Sequence, residues 1–336
     1  MQAQHQYIER DSGVVRTEKL FGDRLIRLLY NEVRENAPLL FRLFTSGRIS
    51  SLLGFINFDA PLAGGFTGNR RFLAECGVDL KECLQPPEFF NTPRKVFERQ
   101  IHYEKWRPMP DDPGAVVSPA DSRALIGSFR ESSMLFLKEK FFDYDEFLGR
   151  DKSEWLRAFS GGDFAIFRLT PDKYHYNHTP VAGRVADFFE IAGGYHSCNP
   201  GAVVQVVTPF SKNKRVVTII DTDVPGGTGV GLVAMIEVVA MMIGDIVQCY
   251  SAERYDNPLP VKAGMFLRKG APKSLYRPGS STDVLIFQQG RVNLAEDLIS
   301  NMFTTKAGSR FSHGFGRPLV ETDIKLRSFV ASGGNK

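Results

Sequence analysis

Cysteine is scarce in this chain of 336 residues: there are four, Cys76, Cys83, Cys198 and Cys249, and no two stand in a C-x-x-C spacing. That pattern excludes a zinc ribbon and offers no disulfide framework, so a reducing compartment is the expected setting. Neither sign of charge dominates, with 42 Lys and Arg against 38 Asp and Glu. The basic residues form no cluster of the kind nucleic-acid binders carry, and no recognition-helix or RNA-binding motif is visible, so nucleic acid is not an expected partner. Long hydrophobic runs are missing as well. The most apolar stretch, residues 230–243, is interrupted by Glu237 and falls short of the roughly 20 residues that span a bilayer. The chain opens on Gln2, Gln4, His5 and Gln6 rather than on a basic and then an apolar region. Neither a signal peptide nor a transmembrane helix is expected.

What remains is an ordinary globular composition, 43% hydrophobic and 24% charged, in a chain long enough for one large core or two modest ones. From Lys19 to Asn57 apolar residues recur at helical spacing: Phe21, Leu25, Leu28 and Leu29, then Leu39, Leu40, Leu43 and Phe44, then Ile49, Leu52, Leu53 and Ile56. Pro38 and Gly47 divide them into two or three helices. Residues 89–113 are aromatic, basic and proline-bearing, a connector with short helical pieces. After Gly114 the pattern changes to short β-branched or aromatic runs at residues 115–117, 164–167, 203–207, 215–220, 232–239 and 283–287. These read as strands of a mainly antiparallel core. The fold class is α+β: a helical N-terminal region over residues 1–110, then a β-rich domain over 111–336.

Two patterns invite a ligand and do not hold it. Gly226-Gly227-Thr228-Gly229-Val230-Gly231 follows a strand-like run, but a dinucleotide fingerprint starting at Gly227 needs glycine where Leu232 stands. A tight turn between strands is the better account. His175 and His178 stand three apart, a spacing that presents two metal ligands on one helix face. Pro171 and Pro180 instead bracket a short irregular segment, and no Cys, Asp or Glu nearby completes a set, so no metal is expected.

Three other segments are more informative together. They are Ser118-Pro119-Ala120-Asp121, Tyr174-His175-x-x-His178-x-Pro180, and the run from Lys269-Gly270 to Gly279-Ser280-Ser281-Thr282. In this order they resemble S-P-A-D-G, Y-H-R-x-H-x-P and K-G-x-x-x-G-x-F-x-x-G-G-S-T of the phosphatidylserine decarboxylase family. Weaker echoes are Ser197-x-Asn199-Pro200 and Asn213-Lys214-Arg215-Val216, and the similarity covers roughly residues 90–292.

The resemblance implies a sandwich- or barrel-like catalytic domain and a chain that cuts itself. Self-cleavage needs a hydroxyl to attack the preceding carbonyl, and serine does so only when a base takes its proton. By the resemblance Ser281 is that nucleophile, His178 the base and Asp121 the carboxylate that orients His178, in the manner of a serine-protease triad. The cut falls between Ser280 and Ser281, giving a β chain of residues 1–280 and an α chain of 281–336. Ser281 becomes a pyruvoyl group, the only cofactor implied, which forms a Schiff base with a substrate amine and withdraws electrons as carbon dioxide leaves. His175 is the expected proton donor to the α-carbon. The implied reaction converts phosphatidylserine to phosphatidylethanolamine.

The sequence departs from the family pattern in places. Ser280 replaces the glycine before the cleaved serine. Counting from Lys269-Gly270 and back from Phe287 both nonetheless put Ser281 at the nucleophile position, and pyruvoyl-dependent histidine decarboxylases cut a Ser-Ser bond. Ser122 and Ser274 replace glycines, Pro272 stands at an often acidic position, and Tyr176 replaces an arginine that could clamp an anionic headgroup. Residues 37–58 carry Phe41, Phe44, Phe55 and Phe58 with Arg42 and Arg48 and no acidic residue, a composition suited to an anionic membrane surface. The expectation is a peripheral protein on the cytoplasmic side of a membrane and, as the family implies, a homodimer. Two alternatives stay open: the same chemistry on a soluble, for instance aromatic, amino acid, and an uncleaved lipid-binding relative without catalysis.

Overall fold

In the computed structural model, residues 4–20, 30, 36–37, 77–129, 140–206, 208–240, 245–278 and 281–334 are described. The helices expected over residues 19–57 and the stretch of 37–58 expected to meet a membrane therefore lie almost wholly outside the described residues. Short strands of Val, Ile and Phe build one large sheet and two small ones. In chain order the strands are β1 Gln6–Glu9, β2 Val15–Thr17, β3 Val116–Val117, β4 Ser122–Ser128, β5 Asp163–Leu169, β6 Tyr176–His178, β7 Gly183–Ile191 and β8 Arg215–Asp221. They continue with β9 Leu232–Val238, β10 Ile246–Gln248, β11 Phe266–Leu267, β12 Pro272–Tyr276, β13 Ser281–Phe287, β14 Val292–Leu294, β15 Glu321–Ile324 and β16 Phe329–Gly333.

The large sheet runs β11-β7-β8-β9-β13-β5-β4-β15-β1-β2. Its pairs are antiparallel except β1 with β15. The small sheets are β10-β12-β6 and β14-β16-β3. Side chains alternate across a strand, so each ladder feeds two cores. On one face Val284 and Ile286 meet Ile166, Ile236 and an aromatic cluster of Phe142, Phe147, Phe210 and Phe311. On the other, Leu285 and Phe287 meet Ala165, Phe167 and Met235. Both small sheets pack on this second face through Val116, Val330 and Ala331 and through Ile246 and Tyr276. The architecture is an open α+β sandwich. The barrel-like alternative is not realised, because β11 and β2 end the large sheet without pairing to each other.

Two further expectations change. The strand expected at 203–207 is instead a helix, Pro200–Gln205. Asn199 caps it by accepting from the Gly201 amide, and Pro200 occupies its first turn; that cap and the preset proline φ outweigh the β-branched valines. The first residues of the helical N-terminal region are strands: β1 and β2 extend the catalytic sheet, with Ile8 packed on Ala307 and Val320. The connector behaves as expected, with helices α1 Pro93–Phe97 and α2 Tyr103–Trp106. The glycine-rich segment is the turn between β8 and β9, where Gly226, Gly229 and Gly231 take positive φ of 77, 77 and 76°.

A buried ionic cluster fixes the N-terminal segment to the sheet. Arg168 in β5 reaches Glu321 at 2.6 and 2.9 Å and Glu18 at 2.5 and 3.0 Å, while His5 meets Glu321 at 2.7 Å. The His5, Glu18 and Glu321 ligand atoms are close enough for a cation, but the Arg168 guanidinium already supplies the positive charge there. Replacing Arg168 with Met removes the cation that Glu18 and Glu321 share, leaving them only His5 and the Arg123 guanidinium, 3.9 Å from Glu18. The expected loss is about 3–5 kcal/mol in the urea unfolding free energy; a change under about 1 kcal/mol would show the cluster to be dispensable.

Candidate active site

The three segments that the sequence singles out are neighbours in space. The His178 amide donates to Pro119 O at 2.8 Å, and the Thr179 amide to Ala271 O at 2.9 Å. The β6–β12 ladder then sets Asn177 opposite Ser274 and Tyr176 opposite Leu275. Ser281 opens β13 opposite Leu169 of β5; pairing with β9 begins only at Thr282. By alternation Ser281 lies on the face that the β10-β12-β6 sheet covers. Its Oγ is buried and has no hydrogen-bond partner among the described residues. Ser280 lies outside the described residues.

Asp121 is buried and held by others than His178. Its Oδ1 accepts from Arg107 Nε at 2.8 Å and from the Leu326 amide at 2.7 Å, and its Oδ2 accepts from Arg107 Nη2 at 2.8 Å. Burial alone would raise its pKa, but the Arg107 guanidinium outweighs burial and holds it at about 2. Arg107 also grips Glu82 at 2.9 Å. The expected Asp121–His178 hydrogen bond is therefore absent; Asp121 acts on both histidines by its charge alone.

The two imidazoles differ in what they offer. His178 Nδ1 faces Gly270 O at 2.8 Å and its Nε2 faces the Tyr174 hydroxyl at 3.0 Å. His175 Nδ1 faces Lys173 O at 2.8 Å, its ring stacks on Phe97 at 3.5 Å, and its Nε2 has no partner. A carbonyl oxygen only accepts, so both rings carry their proton on Nδ1 and a lone pair on Nε2. Burial pushes both pKa values down to about 3, helped at His175 by the Arg99 charge and at His178 by that of Arg327. As it stands His175 Nε2 offers a lone pair, so the donor role expected for it requires that it first take up a proton.

Sequence reasoning missed several groups here. Tyr103 meets the His178 ring edge-on at 4.7 Å, and Tyr255 shares its hydroxyl with Tyr174 at 2.7 Å. Tyr176, in the family's arginine position, stacks on Tyr174 at 5.6 Å and accepts from Gln100 at 3.3 Å. A cavity of about 160 Å³ opens behind Tyr103 and Tyr255 and is also lined by Leu84, Lys105 and Arg254. Glu237, noted only as an interruption of an apolar run, pairs with fully buried Lys273 at 2.6 Å. A charge in the middle of such a run was the available signal.

An unpartnered buried hydroxyl heading a strand occurs here in one chain with the two buried histidines and the three motifs. The chain belongs to the phosphatidylserine decarboxylase family, whose model matches residues 94–313. It is 29% identical to the phosphatidylserine decarboxylase proenzyme of Fusobacterium nucleatum over 300 residues, 88% of this chain and 91% of that one. Identity to the proenzyme of Bordetella petrii is 32% over 235 residues, 66% and 78% of the two chains. The phosphatidylserine decarboxylase proenzyme 3 of Schizosaccharomyces pombe is 28% identical over 88% of this chain but only 29% of its own length. These relatives are named as proenzymes, precursors that are processed before they act. Among the described residues no helix is long and apolar enough to cross a membrane, and Cys83, Cys198 and Cys249 are free.

The neutral histidines set an acid limit on stability. A ring whose folded pKa is about 3 takes its proton first in the unfolded chain, where the value is near 6.5. Stability is therefore full above pH 6.5 and falls as the pH drops towards 3. Each ring is expected to remove about 2 kcal/mol between pH 6.5 and 5. Denaturant unfolding of the uncut chain at both pH values measures the fall, and His175→Gln should reduce it by about half.

Proposed function

We propose that this chain cuts itself between Ser280 and Ser281, converts residue 281 to a pyruvoyl group, and decarboxylates phosphatidylserine to phosphatidylethanolamine. The observation that carries this reading is the Ser281 hydroxyl, buried and unpartnered at the first residue of β13. β12 ends at Tyr276 in a small sheet, and β13 begins at Ser281 in the large one. A cut before residue 281 therefore breaks no ladder.

The residues present suit a pyruvoyl group. The β5 pairing of residue 281 would fix its backbone, and His175 Nε2 and the buried face of the sheet would surround it. Such a group supplies a carbonyl that captures an amine and draws off the electrons freed as carbon dioxide departs. The chain's own residues supply the proton transfers. His178 Nε2 is the lone pair that takes the Ser281 proton, and Tyr255 gives the Tyr174 hydroxyl now bonded to that nitrogen a second partner. The Asp121 charge favours the imidazolium that results. His175 Nε2 accepts the proton that a substrate ammonium must lose before its nitrogen can attack.

The substrate reading follows the family, and the membrane reading rests on composition at residues 37–58. We place the protein on the cytoplasmic face of a membrane, as a homodimer.

Intact mass of the purified protein tests the cut. Two fragments breaking after Ser280, with the α chain blocked to Edman sequencing, are expected; Ser281→Ala and His178→Ala should remain whole, and His175→Ala should cut yet lose at least 100-fold in turnover. A break after Gly279 moves the nucleophile to Ser280, and an uncut wild type defeats the reading. Because β13 is paired on both sides by β-chain strands, the two fragments should co-elute until denatured. Carbon dioxide release from phosphatidylserine vesicles, but not from free amino acids, completes the test.

A further inference from the structure

Two carboxyl groups sit side by side within the strands that flank Ser281. Glu237 of β9 is directly opposite Asp283 of β13. Glu237 is fully partnered: Lys273 Nζ at 2.6 Å, Gln248 Nε2 at 3.0 Å and Asn177 Nδ2 at 3.3 Å reach it, together with the Ser274 hydroxyl. Asp283 is not. Its Oδ1 accepts from the Tyr276 hydroxyl at 2.7 Å, whereas its Oδ2 is buried and bonded to nothing. The Tyr276 amide donates to His175 O at 3.1 Å, which ties the acid to the histidine at the site. Residues 281 and 283 share one face of β13, with Cα atoms about 7 Å apart.

Resting on the decarboxylase reading above, we propose that Asp283 is the acid that protonates the substrate's α-carbon once carbon dioxide has left. Burial, then the neighbouring Glu237 charge, push its carboxyl well above the usual carboxylate range, which favours its neutral form. Lys273, the cation that could reverse this, is engaged by Glu237 and Gln248. His175 begins the cycle with a lone pair on Nε2 and can give back only the proton that it has taken from the substrate ammonium. In the step itself the bond from the α-carbon to the carboxylate breaks and its electron pair stays with the substrate. The proton on Asp283 Oδ2 passes to that carbon. Asp283 is left as a carboxylate that still accepts from Tyr276, and it regains its proton from water, the source of the one proton the overall reaction consumes. A neutral acid at this place also suits an arriving carboxylate, which an ionised Asp283 would repel.

Asp283→Asn keeps the shape and a hydrogen-bond donor but has no proton to transfer. The variant is expected to cut itself normally and to release carbon dioxide about 100-fold more slowly. Some turnovers should deliver the proton to carbon 281 instead of the substrate. Those turnovers release the substrate as an aldehyde and leave alanine at residue 281, so the blocked α chain opens to Edman sequencing as turnover proceeds, a change that a merely structural residue would not cause. A wild-type rate with a blocked α chain overturns the proposal. If Asp283→Asn does not mature, Tyr276→Phe decides: about 10-fold slower release with alanine appearing supports the acid, and unchanged behaviour overturns it. Failure of the decarboxylase reading looks different, because the wild type itself would then stay uncut or release no carbon dioxide.

Discussion

Strand β13 is hydrogen-bonded on both sides, to β5 and to β9, and everything chemical in this molecule is arranged about that double ladder. A strand buried on both faces normally reads as an unbroken apolar run. Here the first residues, Ser281, Thr282 and Asp283, are polar and the remainder, Val284 to Phe287, are not. The apolar half anchors the strand in two cores. The polar half is thereby carried into the interior at a fixed register, where hydroxyl and carboxyl groups have little water to satisfy them. The Thr282 hydroxyl finds Cys198 on one face. Ser281 and one oxygen of Asp283 find nothing on the other. Buried polar atoms left unpaired cost about 1–3 kcal/mol each, and the proposed chemistry would give both of these a use.

Burial also decides what the histidines are. In water imidazole divides its time between charged and neutral forms near pH 7. Between the sheets both rings are neutral, each with its proton directed at a carbonyl and its lone pair on Nε2. Asp121 contributes at a distance because Arg107 and the Leu326 amide occupy its oxygens. A charge fixed in this way still stabilises a nearby imidazolium, since the low local polarity extends its reach. The structure thus offers two imidazole lone pairs, one distant charge, and one carboxyl that burial and the neighbouring Glu237 push towards its neutral form.

The Lys273–Glu237 pair illustrates why such a site tolerates its own polarity. Each partner is fully buried, and removing either would leave an uncompensated charge. Gln248, Asn177 and Ser274 complete the hydrogen bonding of Glu237. The pair fastens β12 to β9, and so holds the small sheet that carries His175 and His178 against the large sheet that carries Ser281.

Much of this was legible in the sequence. Short runs of Val, Ile and Phe between Gly, Pro and Asn marked β5, β8, β9 and β13, because a strand's side-chain alternation is local. The motifs at Asp121, His178 and Ser281 were visible because each is a contiguous string. The helix at Pro200–Gln205 was misread because its cap at Asn199 precedes the valines that suggested a strand. β1 and β2 passed unnoticed because four- and three-residue strands have almost no periodicity to detect. What the sequence alone determined was the set of reactive groups and the order of the elements, since both depend on neighbours along the chain. Only the tertiary structure decided that Arg107 rather than His178 binds Asp121, that His175 presents a lone pair, and that Asp283 lies against Glu237. The first and the last depend on contacts between residues 14 and more than 40 positions apart, and all three on burial that no local pattern records.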